Sequence, residues 1–234
     1  MVNSNWSKAL GLILCFMLAA CGGTAPAEPQ SEKDLGIDAE GQATVPVMGP
    51  QQRILAFGDS LFAGYGVGAE NSYPAKLQNA LRARGINAQV ANAGVSGDTT
   101  AAGLQRFTFT LDAQEETPDL VIVELGGNDL LRGLSPDQTR ANLDAILQEL
   151  GKRKIPALLM GMRAPPNYGP EFQAAFDAIY PDLAAKHGAA LVPFFQESIY
   201  DKPELIQQDR IHPTEIGIET LVGATVEDVE EALE

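Results

Sequence analysis

Leu120-Val121-Ile122-Val123-Glu124-Leu125-Gly126-Gly127-Asn128-Asp129 is the stretch from which the fold can be read. Its first four residues are all apolar, three of them β-branched, with none of the alternation of a strand that has one wet face. Such a run is a strand covered on both faces. It ends at two glycines and an Asn, residues that let a chain turn out of a strand. Working outward, similar short runs occur at Ile54-Leu55-Ala56-Phe57, at Ala88 to Ala91, at Ala157 to Met160 and at Leu191-Val192. Helical spacing lies between and after them: Pro74 to Arg84, closed by Gly85; a helix capped by Ser135-Pro136-Asp137-Gln138 that turns Leu143, Ile146, Leu147 and Leu150 inward and ends at Gly151; Phe172 to Lys186, closed by Gly188; and Ile216 to Leu233. Alternating strands and helices predict a parallel sheet with helices on both faces, and ligands then bind beyond the carboxyl ends of the strands.

The chemistry is therefore sought just after each strand. Gly58-Asp59-Ser60-Leu61 follows the first, with a Ser on a tight turn. Asn92-Ala93-Gly94-Val95-Ser96-Gly97-Asp98 follows the second, where a glycine at 94 lets a backbone N–H approach a ligand. The third strand leads to Asn128, whose amide is a neutral donor suited to an oxyanion. Asp209-Arg210-Ile211-His212-Pro213 follows the fifth. The chain has two histidines. His187 stands in the last turn of a helix, where a cation suits the dipole. His212 stands in a loop, with an acid three residues before it that can bond one ring nitrogen and leave the other free. Each block alone also fits an ordinary turn or cap. Together they supply a hydroxyl, a base, an orienting acid and neutral donors, the parts that acyl transfer needs. Asp59 and Asp129 adjoin these residues and are read as loop hydrogen-bonders.

In the order Ser, Gly, Asn, His, the four blocks resemble those of the SGNH (GDSL) hydrolase superfamily. Val123 to Asp129 continuing to Leu131-Arg132-Gly133, Met162-Arg163 to Asn167-Tyr168-Gly169, Ile179-Tyr180-Pro181 and Pro193-Phe194-Phe195 are similar to the bacterial periplasmic thioesterase I, lysophospholipase and arylesterase subfamily. The resemblance runs from about Ile54 to the end. It implies an α/β fold, a three-layer α/β/α sandwich on a five-stranded parallel sheet of flavodoxin-like type. It implies a serine esterase acting through an acyl-serine intermediate on lysophospholipids, short or medium acyl esters, aryl esters or thioesters. Ser60 matches the nucleophile, His212 the general base and Asp209 its orienting acid. Ser60 N–H, Gly94 N–H and the Asn128 amide match the oxyanion hole. Leu130, Leu131, Leu134, Pro165 and Tyr168 are expected as walls of the acyl pocket. No metal and no cofactor is expected. The alternatives are a carbohydrate deacetylase on the same triad and an inactive, lipid-anchored binding module.

Composition narrows the partners. The 234 residues carry 16 Lys plus Arg against 31 Asp plus Glu, a formal charge of −15. So acidic a chain is unsuited to nucleic acid or to docking on anionic lipid through its surface. Two cysteines make no disulfide framework. Residues 1–20 read as a secretory signal: Lys8, then an apolar stretch from Ala9 to Ala20 that is too short to span a bilayer. Leu18-Ala19-Ala20-Cys21 resembles the bacterial lipobox, whose Cys is acylated. Residues 21–50 are expected to be the lipidated Cys and a flexible tether, and residues 51–234 the hydrolase domain. The expected place is a bacterial cell envelope, anchored through Cys21 to the outer membrane and facing the periplasm, and the expected state is a monomer.

Overall fold

β1 (Gln52–Gly58), β2 (Ala88–Gly94), β3 (Leu120–Glu124), β4 (Ala157–Met160) and β5 (Ala190–Val192) form one parallel sheet in the order β2-β1-β3-β4-β5. The structure is a computed structural model that describes residues 47–234. The expected signal, Cys21 and nearly all of the expected tether lie outside those residues. β3 is flanked on both edges, and all five of its residues are buried, as its unbroken apolar run requires. Eight α-helices are described: α1 (Ser60–Ala63), α2 (Tyr73–Ala83), α3 (Thr100–Asp112), α4 (Gly127–Leu131), α5 (Pro136–Arg153), α6 (Pro170–Asp177), α7 (Ile179–His187) and α8 (Glu215–Ala232). α2 packs on α8 over one face of the sheet, and α5 packs on α3, α6 and α7 over the other. The result is the expected α/β/α sandwich of flavodoxin-like strand order. Among the described residues no helix is long and apolar enough to cross a membrane.

The chain runs from β1 out to the edge strand β2, then returns past β1 to β3. Winding reverses between β1 and β3, and a crevice opens at such a reversal. The register is tight there. Gly58, the last residue of β1, pairs with Gly94 on one side and Glu124 on the other.

Three helical expectations need correction. Phe172 to Lys186 is two helices, because Pro181 has no N–H to give the Asp177 carbonyl, and the chain breaks at Ala178. α5 runs past Gly151 to Arg153, and Lys154 takes the left-handed cap position at φ 58°. Lys152 and Arg153 both reach Glu149, and Arg153 also pairs with Asp112 of α3, so side chains extend the last turn. α3 has no counterpart in the sequence reading. It holds Gly103 and a run of Phe and Thr, which are weak helix formers. Packing makes it: Thr100, Gly103, Phe107 and Leu111 form one buried stripe. A Cβ at position 103 would overlap Leu125, so the glycine lets α3 lie close on the β3 loop.

Asp129 ties three helices together. It is fully buried in α4. Its Oδ2 accepts the Thr100 N–H at 2.7 Å, and its Oδ1 accepts the hydroxyls of Thr100 at 2.5 Å and Thr139 at 3.2 Å. Asp129→Ala leaves these buried donors without an acceptor and should cost about 2–4 kcal/mol. Urea unfolding at unchanged m-value would measure it; a loss below about 1 kcal/mol would show that the donors find other partners.

Candidate active site

Ser60 is placed by a cap. β1 ends at Gly58, and Asp59 becomes the N-cap of the one-turn helix α1, its Oδ1 accepting the Leu61 N–H at 3.1 Å. Ser60 is the first residue of that turn, at the carboxyl end of β1 beside the winding reversal. Its Oγ lies 2.7 Å from His212 Nε2. His212 Nδ1 lies 2.7 Å from Asp209 Oδ2. The other Asp209 oxygen accepts the N–H groups of Ile211 at 2.9 Å and His212 at 3.1 Å. Partial burial pushes the Asp209 carboxyl up, but the His212 ring and these two N–H groups outweigh it and hold the group below the usual carboxylate range. The His212 loop is itself held: Gln207 N–H donates to the His212 carbonyl at 2.7 Å, and Gln207 Nε2 donates to Tyr65 O and Pro213 O. The Tyr65 ring stacks on the imidazole at 4.2 Å. His187 lies apart, its Nε2 2.6 Å from Asp144 Oδ1 at the end of α7.

The donors converge on the same place. Asn128 is the second residue of α4, just after β3, and lines the cleft. One Nδ2 hydrogen goes to Asp59 Oδ2 at 2.9 Å, which leaves the other available. Gly94 does not take its expected position. Its N–H is bonded to Asn92 Oδ1 at 2.9 Å, and its α-carbon packs so closely on the nucleophile turn that a Cβ would overlap the Ala63 nitrogen. Gly94 is a packing residue outside the cleft. Gly97, three residues on, lines the cleft in a left-handed conformation, φ 86°. Arg132 Nη2 donates to the Gly97 carbonyl at 2.7 Å, and Arg106 links Asp98 to the Gly58 carbonyl. Sequence alone could not choose between two glycines of one loop.

The cleft beside Ser60 has a volume of about 440 Å³. Leu61, Leu130, Leu131, Met162, Pro165 and Phe194 give it apolar walls. Two expected wall residues are elsewhere. The Tyr168 hydroxyl donates to the Leu130 carbonyl at 2.7 Å and its ring packs on Phe172, so it braces the wall from behind. Leu134 follows the left-handed Gly133, which turns the chain away toward the Ser135 cap. Met162 and Phe194 stand out in the sequence only through the family resemblance, since a wall residue has no periodicity of its own. Among the described residues no group of three or more His, Cys, Asp or Glu is placed to hold a metal ion.

Beneath the turn lies an acid pair. Glu124 at the end of β3 is fully buried, and its Oε2 accepts the Asp59 N–H at 3.2 Å. Its Oε1 is buried without a partner among the described residues. Burial, with the adjacent Asp59 carboxyl, pushes Glu124 well above the usual carboxylate range. Burial also raises Asp59, against the opposing bonds from Leu61 N–H, Glu124 and Asn128. From the ordinary carboxylate range up to its raised native value, folded protein holds a Glu124 proton that unfolded protein has released, so stability falls as pH rises through that window. Gln has the same shape and does not titrate. The Tm of Glu124→Gln relative to wild type should therefore rise as pH is raised from the ordinary carboxylate range through neutrality, with roughly 2–4 °C for each kcal/mol. An offset constant across that range would show that Glu124 does not titrate there.

A family model described as GDSL-like lipase/acylhydrolase matches residues 56–219. Esterase TesA of Pseudomonas aeruginosa is 43% identical over 162 residues, 69% of this chain and 80% of that protein. Thioesterase 1/protease 1/lysophospholipase L1 of Escherichia coli K12 is 44% identical over 160 residues, 68% of this chain and 74% of that protein. The crystal structure of AlinE4, an SGNH-hydrolase family esterase, is 64% identical and covers 80% of this chain and 99% of its own, with a TM-score of 0.68.

Proposed function

The chain belongs to the GDSL-like lipase/acylhydrolase family and is a serine ester hydrolase, and from that premise we propose that Ser60, His212 and Asp209 are its catalytic triad. The observation that carries the assignment is the unbroken contact chain from Asp209 Oδ2 through both ring nitrogens of His212 to Ser60 Oγ, each link 2.7 Å long. Ser60 Oγ attacks the acyl carbonyl carbon while His212 Nε2 takes its proton. Charge develops on the carbonyl oxygen, and the N–H groups of Ser60 and Gly97 and the free Nδ2 hydrogen of Asn128 receive it. His212 then protonates the leaving oxygen or sulfur, and acyl-Ser60 remains. Water, deprotonated by His212, attacks the acyl group and releases the acid with Ser60 restored. Asp209 stays ionised throughout, holding the ring and stabilising its charged form.

The apolar walls support an acyl chain as the bound part of the substrate. The cleft volume falls in the range of roughly 300–1,000 Å³ that suits small ligands. Lysophospholipids, short to medium acyl esters, aryl esters and thioesters are the proposed substrates. A sugar deacetylase would bring only an acetyl methyl to these hydrocarbon walls and leave most of them unfilled. Residues 1–20 and Cys21 are proposed as signal and lipid anchor, which would hold the enzyme in the cell envelope beside such lipids. That part rests on the string Leu18-Ala19-Ala20-Cys21. Cys21→Ala should move the protein from the membrane fraction to the soluble fraction; unchanged fractionation would refute the anchor.

Fluorophosphonate labelling and p-nitrophenyl ester hydrolysis test the triad. Ser60→Ala should abolish labelling and lower kcat by about 10⁶-fold. Asp209→Asn should cost about 10⁴-fold. Asn128→Ala should cost about 10²–10³-fold in kcat. Near-wild-type turnover in folded Ser60→Ala would refute the assignment.

A further inference from the structure

The mechanism leaves two cations of the cleft unused. Arg163, after β4, and Arg210, between Asp209 and Ile211, both line it. The chain carries a formal charge of −15, so two guanidinium groups beside the site run against its general character. Arg163 lies over the Phe194 ring at 5.1 Å and touches one carboxylate, Glu197, at a long 3.8 Å. Arg210 is exposed and takes part in no ion pair among the described residues.

The backbone at Arg210 adds an independent observation. Its φ is 62°, and Lys154 is the other described non-glycine residue with positive φ. The turn needs that conformation: Arg210 N–H donates to Gln207 O at 3.0 Å, while Asp209 Oδ1 collects the next two N–H groups. These bonds use main chain and Asp209. None uses the arginine side chain, and glycine would fit the left-handed position without strain. A long cationic side chain therefore stands where the turn itself calls for none, on a residue of the cleft lining and in no ion pair among the described residues.

Its side of the cleft follows from the reaction. His212 Nε2 must deliver a proton to the leaving oxygen, so the leaving group lies against the His212 turn, and the acyl chain lies along the apolar walls. Arg210 belongs to that turn. We propose that Arg210, assisted by Arg163, is a specificity-determining anion subsite that receives a phosphate on the alcohol side of the ester. A guanidinium suits this, offering paired donors to phosphate oxygens. The inference rests on Ser60 and His212 being nucleophile and base, since they define the leaving side.

The test compares two esters with the same acyl chain, a lysophosphatidate and a neutral monoacylglycerol. Wild-type protein should prefer the phosphate ester, and added salt should erode the preference. Arg210→Gly, which the turn accommodates, should lower the ratio of the two kcat/KM values about tenfold or more, the scale of one charge-assisted hydrogen bond. Arg210→Lys, which keeps the charge but not the paired donors, should keep only part of the ratio, and Arg163→Gln should lower the wild-type ratio as well. Calorimetric binding of glycerol phosphate to Ser60→Ala, with and without Arg210→Gly, reads the subsite without turnover. Binding lost with Arg210 supports the subsite even if neither ester is hydrolysed, an outcome that would instead count against lysophospholipids and acylglycerols as the substrates. No wild-type preference, a ratio unchanged in Arg210→Gly, or binding indifferent to Arg210 would overturn the subsite.

Discussion

Gly58 sits in register with Gly94 on one neighbouring strand and Glu124 on the other, and three loops leave the sheet at this one level. There is no room for a side chain at the junction. A Cβ on Gly58 would stand 2.8 Å from the Glu124 carbonyl oxygen, its Oε2 and a Phe62 ring carbon. The glycine is required for close approach rather than for an unusual φ. Because β1 can end this tightly against β3, the Asp59 N–H reaches Glu124 and the Asp59 carboxyl reaches Asn128. The turn carrying Ser60 and the residue carrying the amide donor are thereby fixed to each other, although 68 positions of sequence separate them.

The same closeness creates an electrostatic problem that the site resolves by protonation. Two carboxyl groups meet in a buried layer. Ionising both would place like charges together out of water. Glu124, with one oxygen unpartnered among the described residues, is the group pushed furthest toward its neutral form. The Asp59 carboxyl has two donors to hold it, the Leu61 N–H and the Asn128 amide. Polarity then grades outward. Buried acids underlie the nucleophile turn, hydrocarbon lines the acyl side, and arginines stand at the rim.

Much of this was legible because strand and helix periods record which face is buried. The run Leu120 to Val123 reads as a central strand, and it is one. Ser135 reads as a cap, and its side chain accepts the Gln138 N–H. Ser60, Asn128, Asp209 and His212 stood out because chemically distinctive residues followed strands. α3 was invisible because its stripe includes a glycine and threonines, and only contact with Leu125 and Phe57 makes that face a core face. The break between α6 and α7 was marked by Pro181 within an otherwise helical pattern.

Sequence by itself determined the five strands and the longer helices other than α3, the edge of the sheet at which chemistry sits, and which side chains could serve as nucleophile, base and amide donor. These are local properties, set by hydrophobic period, caps and side-chain chemistry. Tertiary structure decided which glycine of the Asn92 to Asp98 loop faces the cleft, which of Leu130, Leu131, Leu134, Pro165 and Tyr168 form its wall, and that Ser60 meets a histidine 152 residues away. Those facts depend on strand register and on the side from which a backbone is approached. Both are set by packing between segments distant in the chain, and no local pattern encodes them.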